Sequence, residues 1–219
     1  MSANHDLGQG SGTQPSDPFG YWEARYGSAE GIWSGNVNQA LADSIADRTA
    51  GTALDLGAGE GGDSLWLAQR GWQVTAVDLS PTALARGEAA ASRAGLGEAV
   101  TWIAADLEAW TSEKSYDLVS ACFLHSRARL DRSSILRRAT EWVALGGLFL
   151  VVAHAEPPPW ASNNHEPMDC PTPAEDLAIL ELGKDWTTLI TEVRDRQTYS
   201  PDGEPAILRD GVLLVQRKE

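Results

Sequence analysis

Cysteine is nearly absent from this chain, with only Cys122 and Cys170 in 219 residues. Two are too few for a disulfide framework, and neither stands in the paired spacing of a zinc module, so two free thiols in a reducing compartment are expected. Histidine is also scarce, at four. The separations of His125, His154, His165 and Asp169 match no compact zinc signature, so no metal is expected. Positive charge is the next shortage. Seventeen Lys and Arg stand against thirty-one Asp and Glu, for a net charge of −14. A field of that sign repels phosphate backbones and anionic lipid surfaces, which disfavours a nucleic-acid partner. Long apolar runs are missing too: the longest, residues 148–153, falls far short of the roughly 20 residues that span a bilayer. Residues 1–17 hold Gly, Ser, Asn, Gln and Pro without the charged start and apolar stretch of a secretory signal. The expectation is a disordered tail over 1–17 on a cytoplasmic protein with no membrane partner.

What remains is ordinary globular material, 42% hydrophobic and 22% charged, in a length that suits one domain with a sizeable core. From residue 52 onward, short apolar runs alternate with helical patterns, which predicts a parallel sheet covered by helices on both faces. Strands are expected over 52–56, 72–77, 100–104, 116–121 and 148–153, the last apolar throughout, as a strand buried on both faces must be. Helices are expected over 61–70, over the Ala-rich 82–94 behind Ser80 and Pro81, and over a stretch carrying Ile135, Leu136, Ala139, Trp142 and Val143. Thr172, Pro173 and Glu175 form a capping box that opens a further helix. Residues 187–194 and 206–216 read as two closing strands around a turn at 201–203. The Pro- and Asn-rich stretch 155–171 is long enough to suggest a functional loop, which could cover the edge of the sheet as a substrate lid. Trp66, Trp72, Trp102, Trp142 and Trp186 fall on helix or strand patterns and are expected to fill the core.

The chemistry concentrates where the first strand meets its helix, in Leu54-Asp55-Leu56-Gly57-Ala58-Gly59-Glu60-Gly61-Gly62. Gly57, Gly59 and Gly62 satisfy the dinucleotide pattern G-x-G-x-x-G, while Gly57, Gly59 and Gly61 satisfy the G-x-G-x-G of another nucleoside cofactor. The glycines alone leave both open. Asp78 ends the second strand, where a carboxylate can accept both hydroxyls of an adenosine ribose. Asp106, after the third strand, is placed to accept from an adenine amine, which an ordinary dehydrogenase does not need.

Asp55, the three glycines, Asp78, Asp106 and Asp117 in this order resemble the successive motifs of class I S-adenosylmethionine-dependent methyltransferases, over about residues 22–219. Tyr21, Trp22, Arg25, Tyr26 and Trp33-Ser34-Gly35-Asn36 resemble the N-terminal cap of the branch holding tellurite-resistance and thiopurine methyltransferase-like enzymes, although Val37 stands where that branch often has proline. The resemblance implies a Rossmann-like α/β fold with a mainly parallel seven-stranded sheet, helices on both faces and a C-terminal antiparallel strand. A helical cap would occupy 18–50 and the methyltransferase domain 51–219. It implies S-adenosylmethionine as cofactor, with Gly57, Gly59 and Gly61 against its methionine and ribose portions and Asp55 organising the loop. Asp78 would hold the ribose, Leu79 would cover the adenine, and Asp106 with Leu107 would meet the amine edge.

A sulfonium methyl is already activated, so the protein chiefly has to align a nucleophile and exclude water. His125, following the fourth strand, is a candidate general base or orienting group. Trp33, His154 and Trp160 are candidates for substrate contact, Trp33 because an aromatic face suits a sulfonium. The segment Ala121-Cys122-Phe123-Leu124-His125 lacks the Asn/Asp-Pro-Pro-Tyr/Phe run of amino-group methyltransferases that act on nucleobases and some proteins. With the acidic balance, that points to a small-molecule acceptor. The rival readings are an NAD(P)-dependent oxidoreductase and a non-catalytic S-adenosylmethionine-binding protein. Oligomeric state and the acceptor atom are not written in the sequence.

Overall fold

The computed structural model describes residues 15–163 and 169–219, with the side chains of 162 and 163 set aside. The opening segment through residue 14, and with it most of the expected tail, lies outside the described residues. So do His165 and the middle of the 155–171 loop.

Local chemistry starts each helix. Asp17 accepts from the Gly20 amide to open α1 (Pro18–Gly27), with Pro18 in the first turn, and Asn38 caps α2 (Gln39–Ser44). The strand β1 (Thr52–Leu56) feeds α3 (Gly62–Gln69) through the glycine loop. After β2 (Gln73–Asp78), Ser80 and Pro81 start α4 (Pro81–Arg93). Next come β3 (Val100–Ala104), β4 (Tyr116–Cys122), α5 (Arg132–Ala139) behind its cap Asp131, and β5 (Val143–His154). The capping box of Thr172 and Glu175 opens α6 (Pro173–Ile179). The chain closes with β6 (Trp186–Tyr199) and β7 (Pro205–Arg217).

The strands form one seven-stranded sheet in the order β3-β2-β1-β4-β5-β7-β6. The first five pair in parallel, and β7 runs antiparallel to both of its neighbours. Period-two alternation splits the core cleanly between the two faces. Leu54, Leu56, Val119, Phe149 and Val151 pack on one side with Ile135 and Leu136 of α5. Ala53, Leu118, Leu148, Leu150 and Val152 pack on the other with Leu41 of α2 and Leu67 of α3. Full burial of 148–153 follows from that arrangement, since β5 has a neighbouring strand on each edge and a helical layer on each face.

Two boundaries differ from the sequence reading. Trp142 and Val143 do not continue a helix: α5 tightens into a 3-10 turn at Thr140–Trp142, and Val143 already pairs with Tyr116. The register then shifts between Tyr116 and Leu118, and Gly146 takes φ +77°, so residues 144–147 bulge out before the buried run begins. The closing hairpin is also longer than expected. β5 pairs with β7 only as far as His154 opposite Asp210, while β6 and β7 continue pairing to Tyr199 opposite Pro205. Their distal ends therefore project past β5 over the carboxyl edge of the sheet. The expected turn closes this projection, with Gly203 at φ +85° and the Ser200 amide donating to the Glu204 carbonyl at 2.7 Å. Trp66, Trp102 and Trp186 are only partly buried around the core, whereas Trp72 and Trp142 are buried.

Candidate functional site

Strand order reverses between β1 and β4, and an open cleft lies at their carboxyl ends, where ligands of open α/β sheets bind. Its floor is the glycine loop. Gly57, Gly59 and Gly61 all take positive φ, which an L side chain adopts only with strain. At Gly59 a Cβ would lie 2.9 Å from the Tyr26 hydroxyl, and at Gly61 it would enter the Trp102 ring. The loop's amides are occupied internally: Gly57 and Ala58 donate to the Val77 carbonyl, Gly61 to the Ala58 carbonyl and Gly59 to Asp78. Those amides are therefore not presented as a phosphate nest.

Three carboxylates line this half of the cleft. Asp55 is buried at the end of β1, accepting from Ser64 at 2.6 Å and Ser120 at 3.3 Å. Burial, with the neighbouring charge of Asp63, pushes its carboxyl up to about 7. Asp63 sits in the first turn of α3, accepts from the Asn38 amide at 2.6 Å and holds the Cys122 thiol; burial raises it as well. Asp78 accepts from the Gly59 and Ser80 amides, each at 2.8 Å, and burial raises it despite those bonds. The Leu79 amide also bonds to it, and three N–H donors still leave part of a carboxylate's accepting capacity open to a diol. A pyrophosphate at the α3 N-terminus would meet these acids, whereas a group bearing sulfonium and ammonium charges suits them.

Leu79 is half-buried on the cleft. Asp106 also lines it, though exposed and accepting from the Glu108 amide at 2.8 Å as a turn cap. Leu107 lines the cleft as well, although most of its side chain is buried in the core. Asp117 stands at the opposite edge of the sheet, where it accepts from the Thr52 amide and hydroxyl. It pins β4 to β1 and contributes nothing to the cleft.

The N-terminal segment closes over the loop through residues the sequence reading did not single out. Glu60 accepts from the Ile32 and Trp33 amides and pairs with Arg86 at 2.7 Å. Arg86 in turn donates to the Tyr26 and Ala29 carbonyls. The Trp33 indole donates to the Tyr26 hydroxyl at 3.0 Å yet remains 51% exposed, with the Arg25 guanidinium 5.7 Å from its ring centre. A cation of the chain itself therefore lies over Trp33.

The other half of the cleft holds His125, His154 and Trp160, beside the projecting ends of β6 and β7. Phe123, at φ +54°, brings its ring within 4.5 Å of His154. The two imidazoles lie parallel, 5.9 Å apart. His125 Nε2 accepts from the His154 amide at 3.4 Å, and burial, helped by Arg132 and His154, pushes its proton affinity down to about 4. A lone pair already engaged and so weakly basic makes a poor general base, and it leaves His125 Nδ1–H as a donor. Cys122 and Cys170 are free, and no cluster of metal-ligating side chains occurs among the described residues. No helix among them is long and apolar enough to cross a membrane.

Known proteins share part of this sequence and its fold. Residues 53–147 match a family described as a methyltransferase domain. A tRNA1(Val) (adenine(37)-N6)-methyltransferase of Glaesserella parasuis serovar 5 is 34% identical over 113 residues, and the match covers 49% of this chain and 48% of that relative. The chain thus spans about half the length of that relative. The N-methyltransferase NodS of Bradyrhizobium japonicum, solved with S-adenosyl-L-homocysteine, superposes with TM-score 0.68 at 16% identity, covering 93% of this chain and 100% of NodS. TehB of Haemophilus influenzae superposes at 0.66 with 21% identity, covering 84% and 63%.

Proposed function

We propose, from the premise that this chain carries a methyltransferase domain in the fold of the class I S-adenosylmethionine-dependent methyltransferases, that it methylates a small-molecule acceptor. The observation that carries this reading is the trio Asp55, Asp63 and Asp78. These are three cleft carboxylates hydrogen-bonded to hydroxyl, thiol and amide donors, with no ion pair to Lys or Arg among the described residues. Such a site is unfinished without a cation. Asp78 would hold the ribose diol, Leu79 would lie against the adenine, and Asp55 with Asp63 would face the methionine portion. Bound there, S-adenosylmethionine supplies an electrophilic methyl group whose departure leaves a neutral thioether. The chain's own task is to orient the acceptor, exclude water and take up a proton.

The relative from Glaesserella acts on tRNA, but a chain of net charge −14 repels RNA. A small acceptor is therefore favoured. The acids at the α3 N-terminus weigh in the same way against a nicotinamide dinucleotide.

Calorimetric titration tests the cofactor assignment. S-adenosylmethionine and S-adenosylhomocysteine should bind while NAD and NADP should not, and Asp78→Ala should weaken binding at least tenfold, about 1.4 kcal/mol. Tight NAD binding, or unchanged affinity in Asp78→Ala, would overturn the assignment. Release of S-adenosylhomocysteine with a panel of thiols, phenols and metalloid oxyanions separates catalysis from mere binding.

A further inference from the structure

A second constellation stands across the cleft from the three acids. His154 ends β5 directly opposite Asp210 on β7, a placement that brings Cβ atoms within about 5 Å by sheet geometry alone. Asp210 is 3% exposed. It accepts from Arg196 Nε at 2.5 Å, from Arg196 Nη2 at 3.4 Å and from His154 Nδ1 at 3.3 Å. Burial would raise its carboxyl, but the bonds from His154 and Arg196 outweigh that and hold it below the usual carboxylate range.

An ionised carboxylate only accepts, so the proton between the two residues resides on His154 Nδ1. Its lone pair is then on Nε2, which no hydrogen bond reaches among the described residues, on a side chain 20% exposed at the cleft. His125 differs in this respect, because its Nε2 is taken up by the His154 amide. The titratable and charged groups around His154 are Asp210 of β7, Arg196 of β6, His125 and Cys122 at the end of β4, and Arg132 of α5 behind His125. Arg132 is itself paired with Asp176 at 2.5 Å.

We propose that His154 is the general base of the methyl transfer, oriented by Asp210 and Arg196, and that the acceptor is accordingly a molecule whose nucleophilic hydroxyl, thiol or ring N–H arrives still carrying its proton. The inference rests on the methyltransferase reading. One proton passes from the acceptor heteroatom to His154 Nε2. The electron pair of the heteroatom forms the new bond to the methyl carbon, and sulfur keeps the pair of the bond that breaks. Asp210 balances the imidazolium that results. Asp210 and Arg196 are positioning residues: they fix the tautomer and act through His154.

The test uses the full chain. Diethyl pyrocarbonate reacts with bare imidazole nitrogens, and peptide mapping by mass spectrometry resolves the two histidines. His154 should be modified ahead of His125, and Asp210→Asn should slow its modification about tenfold and displace the inflection of its pH profile. Preferential modification of His125, or an unchanged rate and profile in Asp210→Asn, would overturn the assignment. With catechol as a probe that keeps its proton at neutral pH, His154→Gln should lose at least 100-fold in S-adenosylhomocysteine release, a general-base effect of ordinary size, while retaining calorimetric affinity for S-adenosylhomocysteine. Wild-type turnover in His154→Gln would equally overturn it. Absence of S-adenosylhomocysteine binding to the unsubstituted protein would instead sink the methyltransferase reading, and with it the role of His154 in methyl transfer, while the modification rates would still report the His154–Asp210 pair.

Discussion

The two halves of the cleft treat their acids in opposite ways. Asp55, Asp63 and Asp78 are bonded to neutral donors, and burial raises all three. Asp210, just as buried as Asp55, is gripped by Arg196 and His154 and is held low. A half that has to receive a cation keeps its carboxylates free of internal cations, whereas a half that has to move a proton neutralises its carboxylate beforehand. The same residue type thus serves two purposes, and the partner each acid has been given distinguishes them.

Amide substitution should expose that contrast most sharply. Asp210→Asn leaves the partly buried Arg196 guanidinium without its counter-charge and should destabilise the chain by about 2 kcal/mol in urea unfolding. No loss would mean that the pair is not formed. Asp55→Asn should act in the opposite direction above neutral pH. The folded carboxyl titrates near 7, well above its unfolded value. The native state therefore binds more protons between about pH 4 and 7, and stability falls as pH rises through that window. Asp55→Asn should abolish this fall, giving a gain on the order of 1 kcal/mol at pH 8 and little change at pH 4. Parallel stability curves for the two proteins would refute the assignment. The smallest effect belongs to Glu60→Gln, which keeps a hydrogen-bond acceptor but loses the charge facing Arg86. The pair is partly buried and Gln retains an acceptor, so unfolding should move by about 1 kcal/mol, while Trp33 fluorescence, which reports seating of the N-terminal segment, should change measurably.

This contrast also marks what could be read from the sequence. In the half proposed for the cofactor the signals are near one another in sequence: a strand runs into a cluster of glycines, and an acid ends the next strand 19 residues after Gly59. Gly61 had to be glycine for its backbone angle and for Trp102, and the motif alone marks it. The sequence points to His125, three residues past β4, as a base candidate, because neither His154 nor Asp210 carries a neighbouring signature for that role. They meet through antiparallel register across 56 residues of chain, and no spacing rule reports a register. Asp63 was passed over for a related reason: an acid in a helix's first turn is ordinary, and only the folded cleft shows it beside Asp55. The bulge before the buried run of β5 was hidden because Trp142 and Val143 keep helical spacing with α5 while belonging to the strand's approach.

Glu60 stands at a position the glycine pattern leaves unspecified, yet its carboxylate carries the backbone of Ile32 and Trp33 and is anchored by Arg86. The floor of the pocket and the arm above it are consequently one mechanical unit, so anything that presses on the loop also tugs the segment leading back to Arg25. Trypsin cutting at Arg25 would therefore work as an occupancy gauge, with a filled pocket shielding the arm and an empty one surrendering it.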